Sequence, residues 1–255
     1  MSVSINLKII TDMISERDYM RNTVQSQVGS RDMAKNFIAS VFAWMGIAMA
    51  LTAFTAYYFA STPALIGSLY NPETGGMSIL GWIVTLAPLG FVLAMSMGLN
   101  RFSIGTLVLL FGAFSVLMGA SLSFILLIYT SASIFKTFIV TGGMFGIMAF
   151  VGYTTKTDLT KFGSIMFMGL IGLIIASLVN VVLQSPPFDY IISFVGVLIF
   201  TGLTAYDVQT LKRIGAGVEY GTEQTRKLVI MGALRLYLDF INLFLFLLRF
   251  MGDRR

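Results

Sequence analysis

The chain has 255 residues, of which 56% are hydrophobic and only 11% charged, with a mean hydropathy of +0.85. Soluble domains carry about 25% charged residues, so this balance excludes a soluble globular fold and points to a membrane protein. Cysteine and histidine are both absent, which removes disulfides, thiolate nucleophiles, Ser-His triads and the usual zinc and haem ligand sets. Any metal must then be held by oxygen, and no resident cofactor is expected. The net charge of +5 is spread over a tail and several loops rather than gathered in one basic patch, so nucleic acid is not expected as a partner.

Residues 1–36 are polar and mixed in charge, without the short apolar core and small-residue cleavage site of a signal peptide. They are too few for an independent domain and form an N-terminal polar segment. Seven apolar runs follow, near 37–60, 78–99, 104–130, 134–153, 164–183, 189–211 and 229–251. Crossing the hydrocarbon takes about 20 apolar residues per helix, and a backbone in lipid must satisfy its own hydrogen bonds. The predicted fold is therefore all-α and polytopic, with a seven-helix transmembrane domain over 37–251 and a short tail at 252–255. The connectors "STPAL", "NPETGG" and "QSPPFDY" carry the Pro and Gly of turns. Gly105, Gly112 and Gly119, and Gly142 with Gly146, recur at helical spacing and predict close helix packing.

Lys8, Arg17, Arg21, Arg31 and Lys35 precede the first span, and Lys156, Lys161, Lys212, Arg213, Arg226 and Lys227 lie in or beside the fourth and sixth loops. The first and fifth loops have no basic residue. The positive-inside rule then places the N-terminus and the even-numbered loops in the cytoplasm. Arg249, Arg254 and Arg255 at the far end of a seventh full span run against this bias. A re-entrant last segment is the alternative to a full crossing.

Among the twelve acids, only Asp207 and Asp239 lie within apolar runs, and Asp189 sits at a span edge. An aspartate at the bilayer centre costs roughly 2.5–3.5 kcal/mol on insertion scales, so an intramembrane acid is a functional-site hypothesis by default. Asp207 is roughly 6 Å from the cytoplasmic edge of span six, and Asp239 is deeper in span seven by roughly 9 Å, an offset that tilt would have to close. If the two meet in a dry site they share one proton. Protonated, they hold spans six and seven together; deprotonated, they repel and offer oxygens to a cation. Calcium takes six to eight oxygens and two carboxylates supply at most four, so a transient calcium stop is expected rather than storage. Arg235, Asp239, Asn242 and Arg249 share one face of span seven, which predicts a polar stripe toward the bundle interior. Ser193, Gly196, Thr204 and Asp207 share a face of span six. The competing reading pairs Asp239 with Arg235 at i−4, and Asp207 with a basic residue of the adjoining loop, to neutralise charge for insertion.

The segments "AYDVQ" and "GALRLYLDFINLFLFLLRF" resemble the signature end of the Bax inhibitor-1 family, and "FAWMGIAMALTAFTAYYFA" is similar to the opening span of its bacterial members. The resemblance covers about residues 37–251. It implies six spans around a central C-terminal helix, and a pH-sensitive calcium leak gated by Asp207 and Asp239. Tyr206 beside Asp207, and Arg235 and Asn242 on the face of Asp239, are the expected supporting residues. The resemblance also implies calcium and protons as the species handled, the lipid bilayer as surroundings and a bacterial inner membrane as the location. Two departures stand out. Where some bacterial relatives carry an acid and a basic latch residue in span two, this chain offers only Arg101, displaced toward the loop, and Arg235 stands where many relatives have a small or neutral residue. A non-conducting modulator that binds a membrane protease is the alternative. An intramembrane aspartyl protease would need a GxGD motif where this chain has "YLDF", so an enzyme is not expected.

Overall fold

A computed structural model describes residues 2–71, 76–219 and 221–255, with side chains described for 32–70, 76–219 and 221–255. Helix α1 (Ser2–Ser61) leads into a short α2 (Pro63–Leu69) and a two-stranded hairpin, β1 (Tyr70–Asn71) with β2 (Gly76–Met77). Six long helices follow: α3 (Ile79–Gly98), α4 (Ile104–Ile128), α5 (Ser131–Thr154), α6 (Thr160–Leu183), α7 (Pro186–Ala216) and α8 (Glu223–Met251). Among the described residues seven helices are long and apolar enough to cross a membrane, the first being Asp32–Ser61 within α1. The polar residues that precede it continue the same helix.

Each apolar run is recovered as a helix; α3 and α4 stay within their runs, whereas α5, α6, α7 and α8 outrun theirs at polar ends. Ser78, Ser103, Thr130 and Thr222 accept backbone N–H groups of the first turns of α3, α4, α5 and α8, satisfying donors that a helix start leaves free. Helix α7 begins on Pro186, suited to a first turn, and runs on to Ala216 with Arg213 in its last turn, where a cation complements the helix dipole. The charged stretch Glu223–Lys227 likewise belongs to α8 rather than to a loop.

Helix α8 is continuous over 29 residues, about 43 Å at 1.5 Å per residue, so it is a full crossing and not a re-entrant segment. Its C-terminal end docks on the α4–α5 turn. Thr130 N–H donates to the Asp253 carbonyl, Arg255 N–H to the Ile128 carbonyl, and the Ser133 hydroxyl to Asp253 Oδ2 at 3.1 Å. Arg249 reaches Asp189 at the start of α7 at 3.1 Å, and Asn180 of α6 also donates to Asp189. The last residues thus lie at the end of the bundle that carries the α4–α5 and α6–α7 turns.

Two thirds of the apolar window of α7 and of α8 is buried (67% each), against 6% for α6, which makes the last two helices the core of the fold. Helix α8 touches α1, α3, α4, α5 and α7, whereas α6 packs on α7. The wrap around the central helix is therefore uneven. Between α3 and α6, the stripe Met231, Arg235, Leu238, Asn242, Phe246 and Arg249 of α8 is only partly covered. This corrects the expected inward polar stripe: Arg235, Asn242 and Arg249 lie along the open side, and only Asp239 turns fully into the bundle.

Two glycines allow the closest helix approaches. A Cβ on Gly119 would strike the Thr52 carbonyl of α1, and one on Gly152 of α5 would strike the Ala205 carbonyl of α7. The expected GxxxG of Gly142 and Gly146, together with Gly112, meets nothing within 4 Å, so those glycines do not hold this bundle together. Gly152→Ala is expected to cost about 1–3 kcal/mol through overpacking against backbone that cannot yield, and Gly146→Ala to stay within about 0.5 kcal/mol. Thermal unfolding of both variants in detergent checks the contrast.

Candidate functional site

The buried face of α7 carries Ser193, Gly196, Thr204 and Asp207, and α8 presents Asp239 to it. Asp207 is 3% exposed and Asp239 5%, and their carboxyl groups lie close enough to share a hydrogen bond when one of them is protonated. The offset expected from sequence closes because of how the two helices register. Gly232 of α8 packs against Leu211 of α7, and counting from that contact to Asp239 and to Asp207 leaves about 4.5 Å along the axis. Two side chains span that distance.

Arg235 Nε donates to Asp207 Oδ2 at 2.5 Å. Its guanidinium also lies over the Tyr206 ring, 5.6 Å from the centroid, and that ring rests against Gly163 of α6. The hydrogen-bonded partner of Arg235 is thus Asp207 on the neighbouring helix, not Asp239 one turn away, and Asp207 is paired with α8 rather than with the adjoining loop. Asp207 Oδ1 and Asp239 Oδ2 are buried with no hydrogen-bond donor. A charged carboxylate only accepts, so two charged acids here would face each other with one guanidinium between two negative charges. One proton held between them would remove the repulsion and supply the missing donor.

A cavity of about 570 Å³ opens beside the pair, between α6, α7 and α8. Its walls are apolar, including Ile174, Leu178, Leu203, Leu238 and Phe246, and its polar groups are concentrated where Asp207, Arg235, Asp239 and Asn242 line it. A second cavity of about 320 Å³ lies on the α3 side, lined by Val92, Ser96 and Leu211. Arg235 and Leu238 line both, so Arg235 stands on the divide between them. Arg101 sits in the exposed α3–α4 turn and lines neither. Among the described residues no three acids gather as a metal site; the oxygens nearest one another here are those of the two carboxylates, with the Asn242 amide and the Ser177 hydroxyl also lining the cavity.

Two arrangements had no clear mark in the sequence. Tyr237 is fully buried, and its hydroxyl meets the Thr52 hydroxyl at 2.7 Å while Thr52 donates to the Ser115 carbonyl at 2.9 Å. This chain of bonds ties α8 to α1 and α4. The signal available was a tyrosine deep in the last span, whose hydroxyl needs a partner when buried. The second is Gln209, two residues past Asp207, which donates to the Thr157 carbonyl and accepts from Leu159 N–H, both at 2.8 Å. Lys212 donates to the Tyr153 carbonyl and Arg213 pairs with Asp158 at 2.6 Å. The Thr160 hydroxyl, and after it Arg213, hold the Asp158 carboxyl well below the usual carboxylate range. The stretch "AYDVQTLKR" thus sends one acid to α8, and Gln209, Lys212 and Arg213 to the α5–α6 end.

A seven-helix membrane bundle with a buried acid pair across its last two helices defines the class: an integral, multi-pass membrane protein. The family model described as inhibitor of apoptosis-promoting Bax1 matches residues 34–255. The chain is similar to inner membrane protein YbhL of Escherichia coli (strain K12), at 45% identity over 231 residues that cover 90% of this chain and 97% of that one. It is also similar to a protein of Borreliella burgdorferi, 45% identical over 219 residues (86% and 92% of the two chains). A Rickettsia prowazekii protein is 42% identical over 221 residues (87% and 91%). The chain belongs to the Bax inhibitor-1 family, a family of membrane proteins rather than of known enzymes.

Proposed function

We propose that the protein is a pH-sensitive calcium leak channel, closed while Asp207 and Asp239 share a proton and opened when that proton leaves. The observation that carries this reading is the contact of two buried carboxyl groups across α7 and α8 with a single guanidinium beside them. The sign follows from charge. At low pH the shared proton bonds the helices together; raising the pH strips it, and two like charges in a dry site push α7 and α8 apart. The same step frees oxygens for a hard cation, and a set this small suits a passing ion rather than stored calcium.

Basic residues at the ends that carry the α3–α4, α5–α6 and α7–α8 turns support a cytoplasmic N-terminus by the positive-inside rule. The Escherichia coli relative is an inner membrane protein by name, which supports a bacterial inner membrane. The test is calcium entry into liposomes of purified protein across a pH series, expected to rise with pH. A protein that admits no calcium at any pH overturns the channel and favours a modulator that acts by contact with a membrane partner such as a protease.

A further inference from the structure

We infer that the cavity between α6, α7 and α8 is a binding site for an amphiphile with a primary ammonium head and an apolar tail. The inference shares its acid pair with the proposed latch and deepens that site by naming a ligand class, but it does not require ion conduction.

The cavity presents acceptors in excess. Asp207 Oδ1 and Asp239 Oδ2 are buried and have no donor, and both residues line the space. Asn242 donates one of its two Nδ2 hydrogens to the Leu238 carbonyl at 2.8 Å, which leaves its carbonyl oxygen able to accept. It lies three residues from Asp239, hence on the same face of α8, and it lines the same cavity. Acceptors of three residues therefore gather at one wall of the space, the two orphan carboxyl oxygens just beneath its surface, and a primary ammonium carries three N–H donors.

The charges match as well. Two carboxylates against one guanidinium leave one negative charge, which a single ammonium neutralises without a proton. The rest of the wall is apolar and the volume of about 570 Å³ is that of sites which take small organic ligands. A bare cation would fill little of it, whereas an alkyl tail replaces lipid against Ile174, Leu178 and Phe246. The Phe200 and Phe246 rings, stacked at 5.8 Å, add faces that attract a cation. The uncovered stripe of α8 gives such a molecule a way in from the bilayer.

The experiment uses the full chain in nanodiscs of zwitterionic lipid, with octylammonium as probe and N,N,N-trimethyloctylammonium as a control of the same charge and tail without N–H donors. Octylammonium is expected to raise the unfolding temperature saturably, and the control to need at least tenfold more for the same shift. Asn242→Leu is expected to weaken octylammonium binding about tenfold, the effect of one charge-assisted hydrogen bond, and Asp239→Asn to weaken it further. Equal stabilisation by both amphiphiles, or by octylammonium in wild type and both variants alike, means partition into the lipid as an adventitious additive only and overturns the site. Selective ammonium binding in a protein that passes no calcium ends the leak reading and leaves this one standing. A pH-gated leak without ammonium selectivity does the reverse.

Discussion

Calcium entry into liposomes carrying Asp207→Asn or Asp239→Asn protein is expected to lose its rise with pH. The amide is close to the carboxyl in shape and can donate to the remaining carboxylate, so either variant imitates the protonated, closed pair and has no proton to release. In the wild type, two unit charges about 4 Å apart at an effective dielectric of 20 repel by about 4 kcal/mol. Arg235 offsets part of this through Asp207, yet even half of it changes a two-state equilibrium by more than tenfold. The two variants should therefore fall on one flat line at the low-pH level of the wild type. A variant that still opens with rising pH would place the sensor elsewhere.

The second large effect is expected at Arg235. Arg235→Leu strands Asp207, which is almost wholly buried, without its ion-pair partner. Breaking a fully buried pair from one side costs about 3–5 kcal/mol. The Arg235 side chain is 44% exposed, and solvent screening reduces the figure to about 1–3 kcal/mol. The measurement is a double-mutant cycle in detergent by thermal or chemical unfolding. Arg235→Leu alone should be the least stable, and adding Asp207→Asn should recover much of the loss, because the stranded charge is then gone. Additive losses would mean that the pair contributes nothing as a pair. Arg235→Lys keeps the charge but not the planar group over Tyr206 and should fall between.

The spans were legible in the sequence because lipid imposes a length and a composition on every crossing helix, and seven apolar runs satisfy both. Their ends were not, because "QTLKRIGA" and "EQTRKLV" are polar by composition and helical by capping. The misplaced ends do not explain the expected offset between Asp207 and Asp239, which is still about 10 Å when counted from the observed ends of α7 and α8; only the register of one helix on the other closes it. The acids themselves stood out by the cost of placing them in lipid. Their partners did not: spacing along one helix offers Asp239 to Arg235, and only the packing of α7 on α8 turns the guanidinium to Asp207. The glycines fail in the same way. Gly142 and Gly146 have the spacing of a packing motif, yet that face of α5 meets no helix, while the lone Gly152 takes the closest contact. A single sequence reports what a helix carries, and the facing of one helix on another is decided by the whole bundle.

The proton held between Asp207 and Asp239 is the claim on which the rest stands, and infrared spectroscopy reads it most directly. Difference spectra of wild type against Asp207→Asn and against Asp239→Asn at neutral pH should each lose the same protonated-carboxyl C=O band, one proton for the pair. Spectra in which neither substitution removes such a band would show two fully charged acids at rest and contradict the account.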